Sequence, residues 1–206
     1  MHMASTLGQD TLQSTRLSHY VFTDFIKGIV KQTNGKLEET MLNYNSMTRE
    51  MIFVQNGAYL ALGQLENIDT VTIQERKFIP VKEVFYEVVP GNPVALYINH
   101  TCKVIPPGSP SGYGGTTQAF SVGNVSKIMN TAMSYSLKLP DDYKIFPETE
   151  FLLKKDDGFT RIPNVKQLTK IFPSKAGDIQ DYVKKNNISF KRQEDMTKLI
   201  RFCNTP

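Results

Sequence analysis

The sequence predicts an α+β protein. A mainly antiparallel β portion, arranged as a meander, sandwich, roll or small barrel, is followed by about three short C-terminal helices packed on the sheet. Three observations predict it. Arg49–Val89 gathers its β-branched and aromatic residues into short apolar runs separated by Asn-Gly, Glu-Asn and Gln-Glu-Arg. An Asn-Gly or Asp-Gly pair falls between apolar runs at Asn34-Gly35, Asn56-Gly57 and Asp157-Gly158. From Asn164 onward the apolar spacing changes from alternation to a helical period.

Residues 1–18 are read as a tail. Met1-His2-Met3-Ala4-Ser5 has the look of a vector-encoded leader, and Thr6–Ser18 carries only Leu7, Leu12 and Leu17 as apolar residues. Such a polar stretch is expected of a mature N-terminus behind a removed export signal. Residues 19–163 are the β domain. Its first ordered element is expected over Tyr20–Gln32, turning through Thr33–Lys36 into Leu37–Tyr44. Asn-Gly supplies two residues that tolerate positive φ, which suits a tight turn between paired strands. The same device is expected to join Glu50–Gln55 to Ala58–Leu62, and Asp157-Gly158 to join Glu150–Lys154 to Phe159–Ile162. Met133, Tyr135, Leu137 and Leu139 alternate with Ser134, Ser136 and Lys138, the mark of a strand with one wet face. Val84–Val89 is apolar on both faces apart from Glu87, and Met51–Val54 likewise. Strands of that kind need cover on two sides, so the Met51–Val89 block is expected at the centre of the sheet.

The composition shifts over residues 105–123. Pro106–Thr117 holds three prolines, four glycines and a single aromatic, Tyr113, and cannot form a regular element. A phosphate loop would need a lysine and a hydroxyl residue opening a helix; Gln118-Ala119-Phe120 follow instead. Long loops in compact domains tend to carry function. Ser111, Tyr113, Gly114, Gly115 and Thr116 are therefore the candidate binding residues.

Residues 164–206 form the helical segment. Asn164 is placed to cap a first helix carrying Val165, Leu168, Ile171 and Phe172, which Pro173 stops. Ser174 is expected to cap a second, with Ile179, Tyr182 and Val183 on one face, ending at Asn186-Asn187. Gln193–Asn204 then sets Met196, Leu199, Ile200 and Cys203 on one apolar stripe. Helices this short need a sheet to dock on.

Charge and cysteine usage narrow the function. Residues 164–206 contain nine Lys or Arg and four Asp or Glu, a net of +5, against +4 for the whole chain. The nine cations are spread over three helices without a stacking aromatic or Gly-rich clamp, so they read as a solvated face and not as a nucleic-acid site. No apolar run approaches the length of a membrane-spanning helix. The two cysteines, Cys102 and Cys203, are too few to make a disulfide framework; one bond between them or two packed thiols both fit.

The chemistry-bearing residues form no ordered motif. His100 and Cys102 share a strand face and offer a thiol–imidazole pair, although side chains two apart on one strand stand parallel, not facing. Asp24, Glu38, Glu39, Glu50, Glu66, Asp69, Glu75, Glu83 and Glu87 are too many to single out a carboxylate pair. No transition-metal spacing occurs. Asp141-Asp142 and Asp156-Asp157 are the calcium candidates, the second better explained by its turn. No cofactor or metal is expected.

Four stretches, FIKGIVKQTNGKLEETMLNYNSMTREMIFV, LENIDTVTIQERKFIPV, the SGYGGTTQ loop and KIFPSKAGDIQDYVKKNNISFKRQEDMTKLIRFCN, resemble a group of exported Bacteroidetes-type proteins. In that group a β-rich body with a glycine-rich loop precedes a helical tail. Phe172-Pro173-x-Lys175, Ile179-x-x-Tyr182-x-x-x-Asn186 and Phe190 followed by Asp195 carry the tail pattern here. The resemblance covers most of residues 20–204. It implies a periplasmic or cell-surface location in a Gram-negative envelope, and it brings no activity or site residue with it. Two functions are weighed on this basis. One is a non-enzymatic binding or assembly module contacting an envelope protein or a glycan. The other is a small exported hydrolase using carboxylates or the His100/Cys102 face, which demands a concave pocket holding titratable groups. The residues leave the oligomeric state open.

Docking of the tail is testable at Leu199. Leu199→Asp should lower stability by roughly 3–5 kcal/mol, the loss of a buried apolar side chain plus an unpaired charge. Thermal unfolding measures it, and an unchanged midpoint would mean that the stripe does not pack.

Overall fold

The computed structural model describes residues 19–105, 109–110, 116–117, 144–155 and 158–205. Ten strands form one antiparallel sheet: β1 Ile26–Gln32, β2 Leu37–Asn45, β3 Glu50–Gln55, β4 Ala58–Ala61, β5 Ile68–Ile73, β6 Arg76–Val81, β7 Val84–Val89, β8 Leu96–Ile105, β11 Lys144–Lys155 and β12 Gly158–Arg161. Two short strands, β9 Ser109–Pro110 and β10 Thr116–Thr117, pair separately. Helices α1 Val165–Ile171, α2 Ala176–Lys185 and α3 Gln193–Asn204 follow, with a 3-10 turn at Pro173–Lys175 between the first two. The α+β expectation holds. The strand order is β12-β11-β8-β7-β6-β5-β1-β2-β3-β4. The Met51–Val89 block is thus divided: β5, β6 and β7 lie centrally, while β3 and β4 run to the edge because β5 pairs back onto β1.

The hairpins obey local turn chemistry in different ways. At Asn56-Gly57 both residues take positive φ, 51° and 78°, as the predicted tight turn requires. At Asn34-Gly35 only the glycine does, at 88°, closing a longer loop in which the Gly35 N–H donates to the Gln32 carbonyl. Two further two-residue loops carry no glycine: Gln74 and Lys82 adopt φ of 55° and 58° themselves. β11 and β12 pair around residues 156–157, which lie outside the described residues together with Met133–Leu139 and Asp141-Asp142.

One sheet does the work that a two-sheet sandwich would do, because it curls. β2 and β7 are four strand spacings apart, roughly 19 Å if flat. Yet the Tyr44 hydroxyl of β2 donates to the Phe85 carbonyl of β7 at 3.2 Å, and the Tyr44 ring stacks on Phe78 of β6. Gly28 in β1 leaves the room: a Cβ there would stand 2.6 Å from the Thr72 carbonyl oxygen and 2.9 Å from Leu42. The expected first element is shorter than its pattern. Residues 20–24 pair only briefly with β2, through a Tyr20–Asn45 bridge and the Val21 N–H donating to the Tyr44 carbonyl, before Asn43 takes over from Phe22. The Asn43 amide accepts from the Phe22 N–H and donates to the Phe22 and Asp24 carbonyls, so over Phe22–Asp24 one side chain stands in for a ladder.

Two cores result. Phe22, Val30, Leu42, Tyr44, Met51, Val71, Phe78 and Phe85 fill the curl. Leu96, Ile98, Phe151, Leu153 and Ile162 receive Leu168, Ile179 and the stripe Met196, Leu199, Ile200 and Cys203. That stripe is buried as its spacing foretold. Asn164 caps α1 by accepting from the Gln167 N–H. Ser174 does not cap α2: it sits inside the 3-10 turn that Pro173 opens, and Lys175 takes the cap position without a side-chain bond. α2 ends with Asn187 at φ 49°, the Asn187 and Ile188 N–H groups donating to the Lys184 and Val183 carbonyls, a two-bond C-terminal cap.

The last helix is also clamped at its end. The Asn204 side chain donates to the Val94 carbonyl at 2.7 Å and accepts from its N–H. Gly91 lies beneath, where a Cβ would come within 2.3 Å of the Val94 carbonyl oxygen and 2.7 Å of Asn204 Nδ2. Gly91→Ala should therefore destabilise the protein by about 2 kcal/mol through overpacking, measured by urea unfolding. Full native stability would show that the clamp is dispensable.

Candidate functional site

A carboxylate lies at the seam between the two cores. In register across the sheet run Val30, Val71, Phe78, Glu87, Ile98 and Phe151, one from each of six strands. Glu87 is the only polar member of that row, and it is 2 % exposed. Ionised carboxylates survive such burial only with partners. Arg76 on β6 and His100 on β8 are each two residues from row members, so alternation puts all three side chains on the same face.

The partners are complete. Arg76 Nε donates to Oε1 at 2.9 Å and Arg76 Nη2 to Oε2 at 2.5 Å, a two-pronged pair. His100 Nε2 lies 2.6 Å from Oε2 and therefore carries a proton and donates. Its 3.1 Å approach to Arg76 Nη2 is a meeting of two donors on one acceptor. Gln193, the first residue of α3, donates to Oε1 at 2.9 Å and so ties the helical tail to the sheet. The Arg76 guanidinium stacks on Phe22 at 4.8 Å and lies 5.6 Å from the Phe78 ring. Burial alone would raise the Glu87 pKa. The hydrogen bonds from His100 and Arg76 and their charge override it and bring the carboxyl down to about 2.

Above this floor opens a cleft of about 460 Å³. Residues 20–23 form one wall, Thr101, Ile145 and Glu148–Thr149 the other, with Arg76, His100 and Gln193 below. Ser46 also lines it, its hydroxyl donating to the His19 carbonyl at 2.7 Å.

The sequence candidates fare unevenly. Ser111, Tyr113, Gly114 and Gly115 lie outside the described residues; the backbone of Thr116 pairs with Pro110. The stems of their segment are placed: Ile105 pairs with Lys144, next to Ile145 of the cleft wall. His100 and Cys102 are not a thiol–imidazole pair. His100 Nε2 is committed to Glu87, and burial pushes the Cys102 thiol up. Both cysteines are free, and burial raises Cys203 to about 11. Arg76, Phe22 and Gln193 escaped the sequence reading. Glu87 was conspicuous as the one polar residue in an otherwise apolar strand, and a buried carboxylate implies a cation nearby. Nothing in the pattern said which.

No protein-family model matches this chain, and neither a curated protein nor a solved structure is significantly similar to it.

The seam makes a pH prediction. The Glu87 carboxyl titrates near 2 when folded against an ordinary 4.5, so its contribution is full above about pH 4.5 and is lost as pH falls toward 2. Glu87→Gln, which strands Arg76 in a buried site, should cost roughly 3–5 kcal/mol at neutral pH and flatten the acid limb of the stability curve. Chemical denaturation from pH 2 to 7 reads both, and an unchanged acid limb would discount the seam.

Proposed function

We propose that this protein is a non-enzymatic exported binding module of a Gram-negative envelope, which takes part of an envelope protein or glycan into the cleft above Glu87. The observation carrying this reading is the commitment of the floor. Four donated hydrogen bonds reach the Glu87 carboxylate, and they occupy His100 Nε2, the Arg76 fork and the Gln193 amide. A floor so fixed offers shape and orientation at little entropic cost, which favours binding. A general acid or base needs a proton free to move, and the Glu87 carboxylate, held down near 2, keeps none to give. The envelope location rests on the resemblance that most of residues 20–204 bear to exported Bacteroidetes-type proteins. No described helix is long and apolar enough to cross a membrane.

The hydrolase reading has one observation in its favour: the cleft is concave, and Arg76, His100 and Glu148 line it. The two readings separate on turnover. Against chromogenic esters, glycosides and phosphomonoesters the wild type should match His100→Ala and buffer. A saturable rate that falls by roughly a hundredfold or more in His100→Ala would replace binding with catalysis.

A further inference from the structure

We infer that this cleft captures the C-terminal carboxylate of a partner protein, with the last residues of that chain lying against β8; the inference rests on the binding reading above and names the part of the partner that enters. Glu87 uses only part of the guanidinium beneath the cleft. It takes one N–H from Arg76 Nε and one from Nη2, of the five that an arginine carries. Among the described residues no acceptor reaches Arg76 Nη1, and the side chain is 27 % exposed where it lines the cleft. Glu87 is 3 % exposed below it, so an incoming anion meets Arg76 at short range and Glu87 only at longer range. Glu148 does not oppose it. Glu148 pairs with Thr101, one residue along from the His100–Thr149 pair, so alternation turns its side chain to the opposite face. Arg76 is then the one permanent charge that the described lining residues turn into the cleft. One cation matches one carboxylate, whereas a phosphate would bring additional charge without a partner.

A main-chain edge stands open beside that charge. The ladder between β7 and β8 ends at Glu87↔Ile98, although β8 continues to Ile105. Phe85 would be the next partner, opposite His100, but its carbonyl accepts from the Tyr44 hydroxyl. The far side of the ribbon fixes which way this edge points. The Phe151 carbonyl accepts from the Ile162 N–H beyond β12, so Phe151 turns its backbone away from β8, and by alternation so do Thr149 and Pro147. Their register partners His100 and Cys102 therefore turn N–H and C=O away from β11, toward the side that β7 has left. Thr101 lines the cleft although its side chain faces the other way, so the cleft reaches the β8 main chain at this point. Main-chain donors and acceptors in a row suit a peptide, which completes the ladder.

Size and walls favour the end of a chain. The volume, about 460 Å³, lies within the range of small-molecule sites, which suits a few terminal residues and not a strand passing through. Ile145 and Pro147 share the face of His100 and, with Val21, give the last side chain an apolar wall. Tyr20 and Phe22 are each 7 % exposed and packed, so they offer no ring face on which a sugar could stack. The Gln193 carbonyl oxygen, whose amide nitrogen is spent on Glu87, is left to accept an N–H from the incoming chain.

NMR of the full chain tests the inference through the Arg76 Nε–Hε signal and the His100 main-chain amide. The probes are an N-acetylated, alanine-rich pentapeptide ending in valine with a free carboxylate, the same peptide amidated at its C-terminus, and an amidated one whose single carboxylate is an internal glutamate. The free-carboxylate peptide should shift both signals saturably, with either amidated peptide weaker by roughly tenfold or more. Thr149→Glu sets a carboxylate on the cleft face beside His100 and should weaken that binding by roughly tenfold, while Thr149→Gln stays within about threefold of the wild type. Equal losses in the two variants, or equal binding of an amidated peptide, overturn the capture of a C-terminal carboxylate and leave the binding reading standing. Trigalacturonate binding as tightly at the same signals replaces the peptide with an acidic glycan, again without touching that reading. A lack of any saturable shift with the free-carboxylate peptide at about 5 mM also overturns the inference. Cleavage of the bound peptide sinks the binding reading and leaves the ligand class intact.

Discussion

The fold depends on solving one electrostatic problem. A carboxylate has been set in a cross-strand row whose other members are Val30, Val71, Phe78, Ile98 and Phe151. Desolvating that charge costs several kcal/mol unless donors surround it. The donors come from β6, β8 and α3, so pairing Glu87 also fixes how these three elements meet. Apolar residues in place of the whole cluster would pack as well and stabilise as much, but they would not specify which side chain of α3 faces the seam. The ion cluster thus acts on register and docking more than on bulk stability.

The same cluster explains why the cleft has a rigid base. Phe78 belongs to the core inside the curl and Ile98 to the core beneath the helices, and Glu87 stands between them. Movement of the helices relative to the curl would break the Gln193 bond and leave a buried acceptor poorly satisfied. Tyr44 fixes the opposite wall of the curl by its bond to the Phe85 carbonyl, two residues along β7 from Glu87. Burial pushes that phenol well above its ordinary range, so it remains a donor at any physiological pH. The cleft's position therefore follows from two polar side chains inside otherwise apolar surfaces.

How much of this was legible is a question of sequence distance. Asn56-Gly57, the Asn164 cap and the Met196–Cys203 stripe are local signals, and each appears where its spacing placed it. The Gln74 and Lys82 turns are local too, but residues without turn preference adopt positive φ there because the paired strands on both sides demand it. A roll or small barrel was among the expected arrangements, but the contacts that close the curl were not legible. The curl rests on Tyr44 reaching Phe85 across 41 residues, and on Asn43 holding Phe22 across 21. Of the site, Glu87 was visible as an anomaly, while its partners stand 11, 13 and 106 residues away. Periodicity shows which face a residue takes; it does not show which distant residue meets it.

That asymmetry bears on where function should be sought in such a chain. The Gly/Pro segment drew attention because its composition breaks the strand pattern, and composition is a local property. The cleft draws none, since Thr101, Thr149 and Ser46 are unremarkable where they stand. They matter because the curl carries β2 and residues 20–23 over β8 and β11 and so closes a cleft above Arg76, His100 and Gln193. The stems of the Gly/Pro segment leave the sheet beside Ile145, at the end of that floor. A ligand long enough to extend past Ile145 would run toward the point where the chain departs at Ile105 and returns at Lys144. The stems at Ile105 and Lys144 therefore stand at one end of the sheet face that carries the cleft.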